Sequence, residues 1–131
     1  MQLPENKTAE QFLVDLETAK AIMQDQYETE QNNLANLELQ ETDANDSIDL
    51  IEDDMHELFE NPVPDILLYK AMKAELHLTL DGLNEIEQAI KAKEALIEQL
   101  SEGLNKAEVG IKAMKLFIDR SGTLLPLKKD T

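Results

Sequence analysis

Cysteine is absent from the chain, which excludes disulfides, thiolate metal sites and cysteine nucleophiles. Tryptophan is absent too, aromatics are 4% of the residues, and glycine and proline number four each. Sandwiches, barrels and α/β folds need many turns and β-rich segments, so this scarcity argues against all three. No apolar run approaches the length of a membrane span, and the first residues (Met-Gln-Leu-Pro-Glu) lack the basic-then-apolar pattern of a secretory signal. The expectation is a soluble, cytoplasmic chain with no membrane partner. Basic residues are scarce as well: 12 Lys and Arg stand against 28 Asp and Glu, for a net charge of -16. Hydrophobic residues nevertheless make up 42%, too many for a wholly disordered acidic chain. At 131 residues the length is that of a single helical domain.

The charge is segregated. Residues 1–69 hold 18 acids and two bases, Lys7 and Lys20, whereas residues 70–131 hold ten of each. Between Lys20 and Lys70 lie 14 acids and no base, and ten of those carboxylates fall in Glu38–Glu60. Like charges three and four apart on a helix destabilise it by ~0.2–0.5 kcal/mol per pair. Such a run must be offset by packing or by a cationic partner.

The second half carries the clearest periodicity. Alternating steps of three and four run from Tyr69 through Met72, Leu76, Thr79, Leu83, Ile86, Ile90 and Lys93. They continue through Ile97, Leu100, Leu104, Ala107, Ile111 and Met114 to Ile118, and only Thr79 and Lys93 interrupt the apolar seam. A 3.5-residue repeat kept this long specifies a long helix packed on other helices with a shallow left-handed crossing. Gly82, Gly103 and Gly110 all occupy the g position, beside Ala89. Each costs a helix interior about 1 kcal/mol relative to Ala, so their alignment suggests a line along which a neighbouring backbone comes close.

The first half is helical but reads as less regular. Phe12, Leu16, Ala19 and Met23 form one seam; Leu34, Leu37, Ala44, Ile48, Ile51, Met55 and Leu58 form another. Gln26 and Glu30 lie between them, as in a stutter. Thr8 with Gln11 makes a capping-box pattern. Residues 41–47 are rich in types that prefer caps and turns, so the arm spanning 8–60 is either one bent helix or two. Pro62 and Pro64, in the turn 61–65, end that arm, and Pro64 and Asp65 suit the opening of the next, the heptad helix 66–120. Ser121-Gly122 reads as a C-cap, leaving 121–131 as a tail with Leu124, Leu125 and Leu127 for docking. The fold class is therefore all-α, a long antiparallel helical hairpin or a coiled-coil-like bundle of two to four helices. A lone hairpin buries little, so it dimerises through the seam or folds back at the break.

Catalytic patterns are missing. His56 follows Asp53 by three, half of the acid-x-x-His pairing of helical di-iron sites, but His77 has Ala74 where the second acid should stand. Asp43, Asn45, Ser47, Asp49 and Asp54 have the spacing of calcium-loop oxygens, yet the sixth position is Ile48, where an EF-hand turn requires Gly. There is no glycine-rich phosphate loop, and none of Ser47, Ser101 and Ser121 sits in a nucleophile elbow. The chain is read as non-enzymatic, without metal or cofactor. A surface this negative repels phosphate, which excludes direct nucleic-acid binding.

Two roles remain. A helix bearing Asp46, Asp49, Asp53, Glu57 and Glu60 on one ridge would present carboxylates to a basic groove that normally holds nucleic acid. Glu41, Glu52 and Asp54 lie beside or near the apolar seam and are left out of this ridge. In charge and size alone, the chain resembles small acidic helical proteins that phages and mobile elements make to block restriction enzymes or CRISPR nucleases. Immunity proteins against basic nuclease toxins share the same likeness. The expectation is a nucleic-acid-mimic inhibitor whose partner is a basic, nucleic-acid-handling protein. The alternative is a coiled-coil scaffold, assembly or chaperone-like adaptor, for which acidity serves only solubility.

Overall fold

A computed structural model describes residues 8–129, with side chains described from Thr8 to Arg120. The chain is an all-α helical hairpin of two long helices packed on each other. Helix α1 runs Ala9–Glu60 and helix α2 runs Ile66–Lys129.

Local chemistry sets both starts and the turn. The Thr8 amide donates to Gln11 Oε1 at 3.0 Å, and the Gln11 amide donates to Thr8 Oγ1 at 3.1 Å. This reciprocal box satisfies two amides at the start of α1. Helix α1 ends at Glu60, ahead of two prolines that lack an amide proton and disfavour helical geometry in the residue before them. Asp65 then caps α2, its Oδ1 accepting from the Leu68 amide at 3.1 Å and its carbonyl from the Tyr69 amide at 3.0 Å.

Of the two forms open to the first arm the single helix is the one observed, and two readings, the stutter and the C-cap at Ser121-Gly122, are corrected. The turn-prone residues 41–47 do not interrupt α1, so the chain does not fold back there into a third helix. Asp43, Asn45, Asp46 and Ser47 point to solvent, where they compete little with the backbone, and the Thr42 hydroxyl donates to the Glu38 carbonyl at 3.1 Å within the helix. Nor does α1 carry a stutter. One heptad register of half-buried or buried side chains runs along it: Ala9, Leu13, Leu16, Lys20, Met23, Tyr27, Glu30, Leu34, Leu37, Glu41, Ala44, Ile48, Ile51, Met55 and Leu58, with Phe12, Gln24 and Asn33 half-buried beside it. Three charged residues hold seam positions and obscure the apolar pattern, while Ala19 and Gln26 are exposed. At the far end, α2 continues through Ser121 and Gly122 to Lys129, so no C-cap forms there. A single Gly costs a helix about 1 kcal/mol and ends it only when a left-handed cap is made. The side chains of Leu124, Leu125 and Leu127 lie outside the described residues.

On α2 the register holds throughout: all fifteen positions from Tyr69 to Ile118 are half-buried or buried. Thr79 is tolerated there because its hydroxyl donates to the Glu75 carbonyl at 2.9 Å.

The hairpin comprises two compact units. One joins the chain up to Thr29 with the chain from Leu96 onward; the other is Glu30–Ala95. In the first, Ile111 and Met114 are buried, and Lys20 Nζ lies 3.2 Å from Glu108 Oε1. A Cβ added at Gly103 would lie 3.1 Å from Met23 Sδ, and one at Gly110 would lie 3.8 Å from Leu16 Cδ1. In the second unit Ile48, Ile51 and Leu58 are buried, and Lys93 Nζ donates to Glu30 Oε2 at 2.5 Å. Phe59 and Tyr69 meet edge to face beside the turn, with ring centroids 4.9 Å apart. A Cβ at Gly82 meets nothing within 4 Å. The glycine line is thus not a line of close backbone approach: side chains face Gly103 and Gly110, and Gly82 faces open space.

Candidate functional site

The unit Glu30–Ala95 concentrates the charge. It holds 17 carboxylates against four lysines, a balance of -13, while the rest of the chain holds 11 acids against eight bases, a balance of -3. Within it, Asp46, Asp49, Asp53, Glu57 and Glu60 are all exposed on α1. At roughly 100° per residue their spacings place them within an arc of about 80°, opposite the stripe of Ala44, Ile48, Ile51, Met55 and Leu58. Since that stripe packs on α2, the arc faces away from the hairpin's own interior. Glu52 and Asp54 are also exposed, whereas Glu41 is half-buried at a seam position.

The electrostatics of this arc are unfavourable for the helix that carries it. Consecutive members are three or four residues apart, giving four like-charge pairs that cost about 1–2 kcal/mol together. Glu57 and Glu60 lie in the last turn of α1, where no basic residue stands. That end of a helix carries partial negative charge, so a carboxylate there is disfavoured by a further ~0.3–1 kcal/mol. Local relief is slight: His56 Nε2 lies 3.8 Å from Glu60 Oε1, and both side chains are well exposed. His56 thus faces solvent beside Glu60 rather than completing a pair with Asp53.

Metal chemistry finds no geometric support in the described residues. No group of three or more His, Asp or Glu side chains comes together as a cation site among them. The calcium-loop spacing from Asp43 to Asp54 falls on continuous helix, which spreads those oxygens around the axis instead of wrapping them about one point. No helix of the described residues is long and apolar enough to cross a membrane.

Reading by sequence missed the Glu30–Lys93 pair. Its signal was present: counted from Val63 at the middle of the turn, Glu30 stands 33 residues back and Lys93 stands 30 residues on. In an antiparallel hairpin, residues whose distances from the turn agree to within about one helical turn lie near each other. Their opposite charges at seam positions mark both the register and the pairing. No family model matches the chain, and neither a curated protein nor a solved structure is significantly similar to it.

Proposed function

We propose that the protein is a non-enzymatic acidic inhibitor that occupies the basic, nucleic-acid-binding surface of a partner protein. The observation that carries this reading is the placement of the acids. Five exposed carboxylates share the outward face of α1, in a helix segment without a neighbouring base, and two of them sit at the helix end that disfavours them. A face that serves only solubility has no need of like charges in line; a Lys- and Arg-rich groove would relieve that repulsion on binding. The ridge spans fourteen residue steps from Asp46 to Glu60, or about 21 Å of axis and ~5 Å per charge. One DNA strand presents a charge every ~3.4 Å, so the ridge is sparser than a phosphate backbone. It acts through summed potential rather than by matching phosphates one for one.

The test is capture of a basic partner in competition with DNA or RNA. Capture should weaken steeply between low and high salt, since exposed charges are screened within about 10 Å at 0.1 M. Replacing Asp49, Asp53 and Glu57 together by Lys should abolish capture while leaving helicity unchanged, because all three point away from the seam. Full-strength capture by that variant would overturn the reading.

A second reading, a scaffold or adaptor, is favoured by one observation: only five of the described seam residues are buried, so the hairpin covers its own seam incompletely. A scaffold would tolerate the triple reversal and fail on changes at Ile90, Ile97 or Leu104.

A further inference from the structure

The turn between the helices carries an apolar surface that the acidic ridge does not account for. Phe59, Val63, Ile66, Leu67 and Leu68 are exposed by 51%, 87%, 53%, 79% and 44%. They fall within ten consecutive residues. Elsewhere among the described residues, large exposed apolar side chains stand singly or in pairs, as on any surface, whereas here five are gathered at one end of the hairpin, and such a concentration marks an interaction site. The group is also stiff. Pro62 and Pro64 restrict the turn, Asp65 caps the following helix, and the Phe59 ring is braced edge-on against Tyr69. A rigid apolar surface loses little conformational entropy on docking.

Beside it lies a shallow open depression with Asp54, Glu57, Glu60 and Asn61 on its rim and Leu58 and Met72 beneath. Carboxylates above an apolar floor suit the aliphatic stem and cationic head of Lys or Arg. We propose that this tip is the anchoring surface for a basic, amphipathic segment of a partner protein, with apolar side chains on Val63 and Leu67 and a Lys or Arg in the adjoining acidic depression. The proposal rests on the inhibitor reading above and adds an apolar anchor to a ridge that acts by charge. Charge complementarity selects this occupant. A second copy would bring two acid-rimmed tips together, and an anionic membrane would meet carboxylates rather than lysines.

The test uses the full chain and three synthetic helical peptides in fluorescence anisotropy titrations. One alternates Leu and Lys at heptad spacing, one replaces every Leu of it by Gln, and one replaces every Lys by Glu. The Leu/Lys peptide should bind most tightly. Changing Val63→Ser and Leu67→Ser together should weaken it about tenfold or more, while Leu78→Ser, also highly exposed but away from the tip, leaves it within about twofold. The weaker Lys/Gln binding should be unaffected by the tip changes. Unaltered Leu/Lys affinity in the tip variant overturns the proposal, as does an equal loss with Leu78→Ser. Equal binding of the Leu/Glu peptide overturns it by removing the role of charge. A dimer in sedimentation that the tip changes dissolve overturns it in favour of self-association. Failure of the inhibitor reading shows elsewhere, as undiminished Lys/Gln binding in a variant with Asp46, Asp49 and Asp53, ridge residues outside the depression, changed to Lys.

Discussion

Replacing Gly82, Gly103 and Gly110 by Ala, one at a time, measures helix propensity and packing separately on a single helix. All three lie in α2, and no glycine with positive φ occurs among the described residues, so Ala fits the backbone at each. The intrinsic gain from Gly to Ala in a helix interior is about 0.8–1 kcal/mol. At Gly82 the new Cβ meets nothing within 4 Å, so the whole gain should appear. At Gly110 it lies 3.8 Å from Leu16 Cδ1, an ordinary van der Waals contact, and the gain should match Gly82 or slightly exceed it. At Gly103 it lies 3.1 Å from Met23 Sδ, so the thioether must retreat by a few tenths of an ångström. Methionine is unbranched and can do so, but the adjustment should leave Gly103→Ala with the smallest gain. With an unfolding entropy near 2.1 cal/mol/K per residue, 1 kcal/mol corresponds to a rise in Tm of about 4 °C for a chain of this size. Thermal melts followed by circular dichroism, with urea titrations for the free energies, read both quantities. A fall in Tm for Gly82→Ala, or a gain at Gly103 larger than at the other two, would refute the reasoning. Gly110→Leu should reverse the sign, losing about 1–3 kcal/mol as the longer side chain overpacks against Leu16.

Other outcomes follow from single contacts. Removing one partner of the Glu30–Lys93 pair, as in Glu30→Ala, should cost more than the same change at Glu108. The Glu30 side chain is 18% exposed and that of Glu108 is 51%, and an exposed pair contributes at most about 1 kcal/mol. Replacing both Glu30 and Lys93 by Leu should be neutral or stabilising in urea titrations, because the two charges lose their desolvation cost together. Met114→Ala should destabilise by about 2–5 kcal/mol, since Met114 is only 2% exposed and a cavity would remain. Asp65→Ala should cost about 0.5–2 kcal/mol through loss of the cap on α2, visible as a lower urea midpoint.

The amino-acid sequence by itself determined that this protein has two helical arms and where they end at the turn. Two prolines around Val63 and a cap at Asp65 are local instructions, and the fifteen-position repeat of α2 is regular enough to read without a partner. The charge segregation was equally legible, because counting carboxylates needs no coordinates. What the tertiary structure decided was the register of α1. Lys20, Glu30 and Glu41 occupy seam positions, and a polar side chain looks out of place there until the opposite helix supplies its surroundings: Glu108 for Lys20 and Lys93 for Glu30. It also decided that residues 41–47 stay helical. Their own preference for turns is worth tenths of a kcal/mol each, less than burying Ile48 and Ile51, just beyond them on the same helix, against α2 contributes. The glycine stripe shows the same division. Its periodicity is a property of the sequence, but whether each glycine faces a sulfur, a methyl group or open space depends on how the second helix lies across it. A one-dimensional pattern specifies which residues share a face; only packing specifies what that face meets.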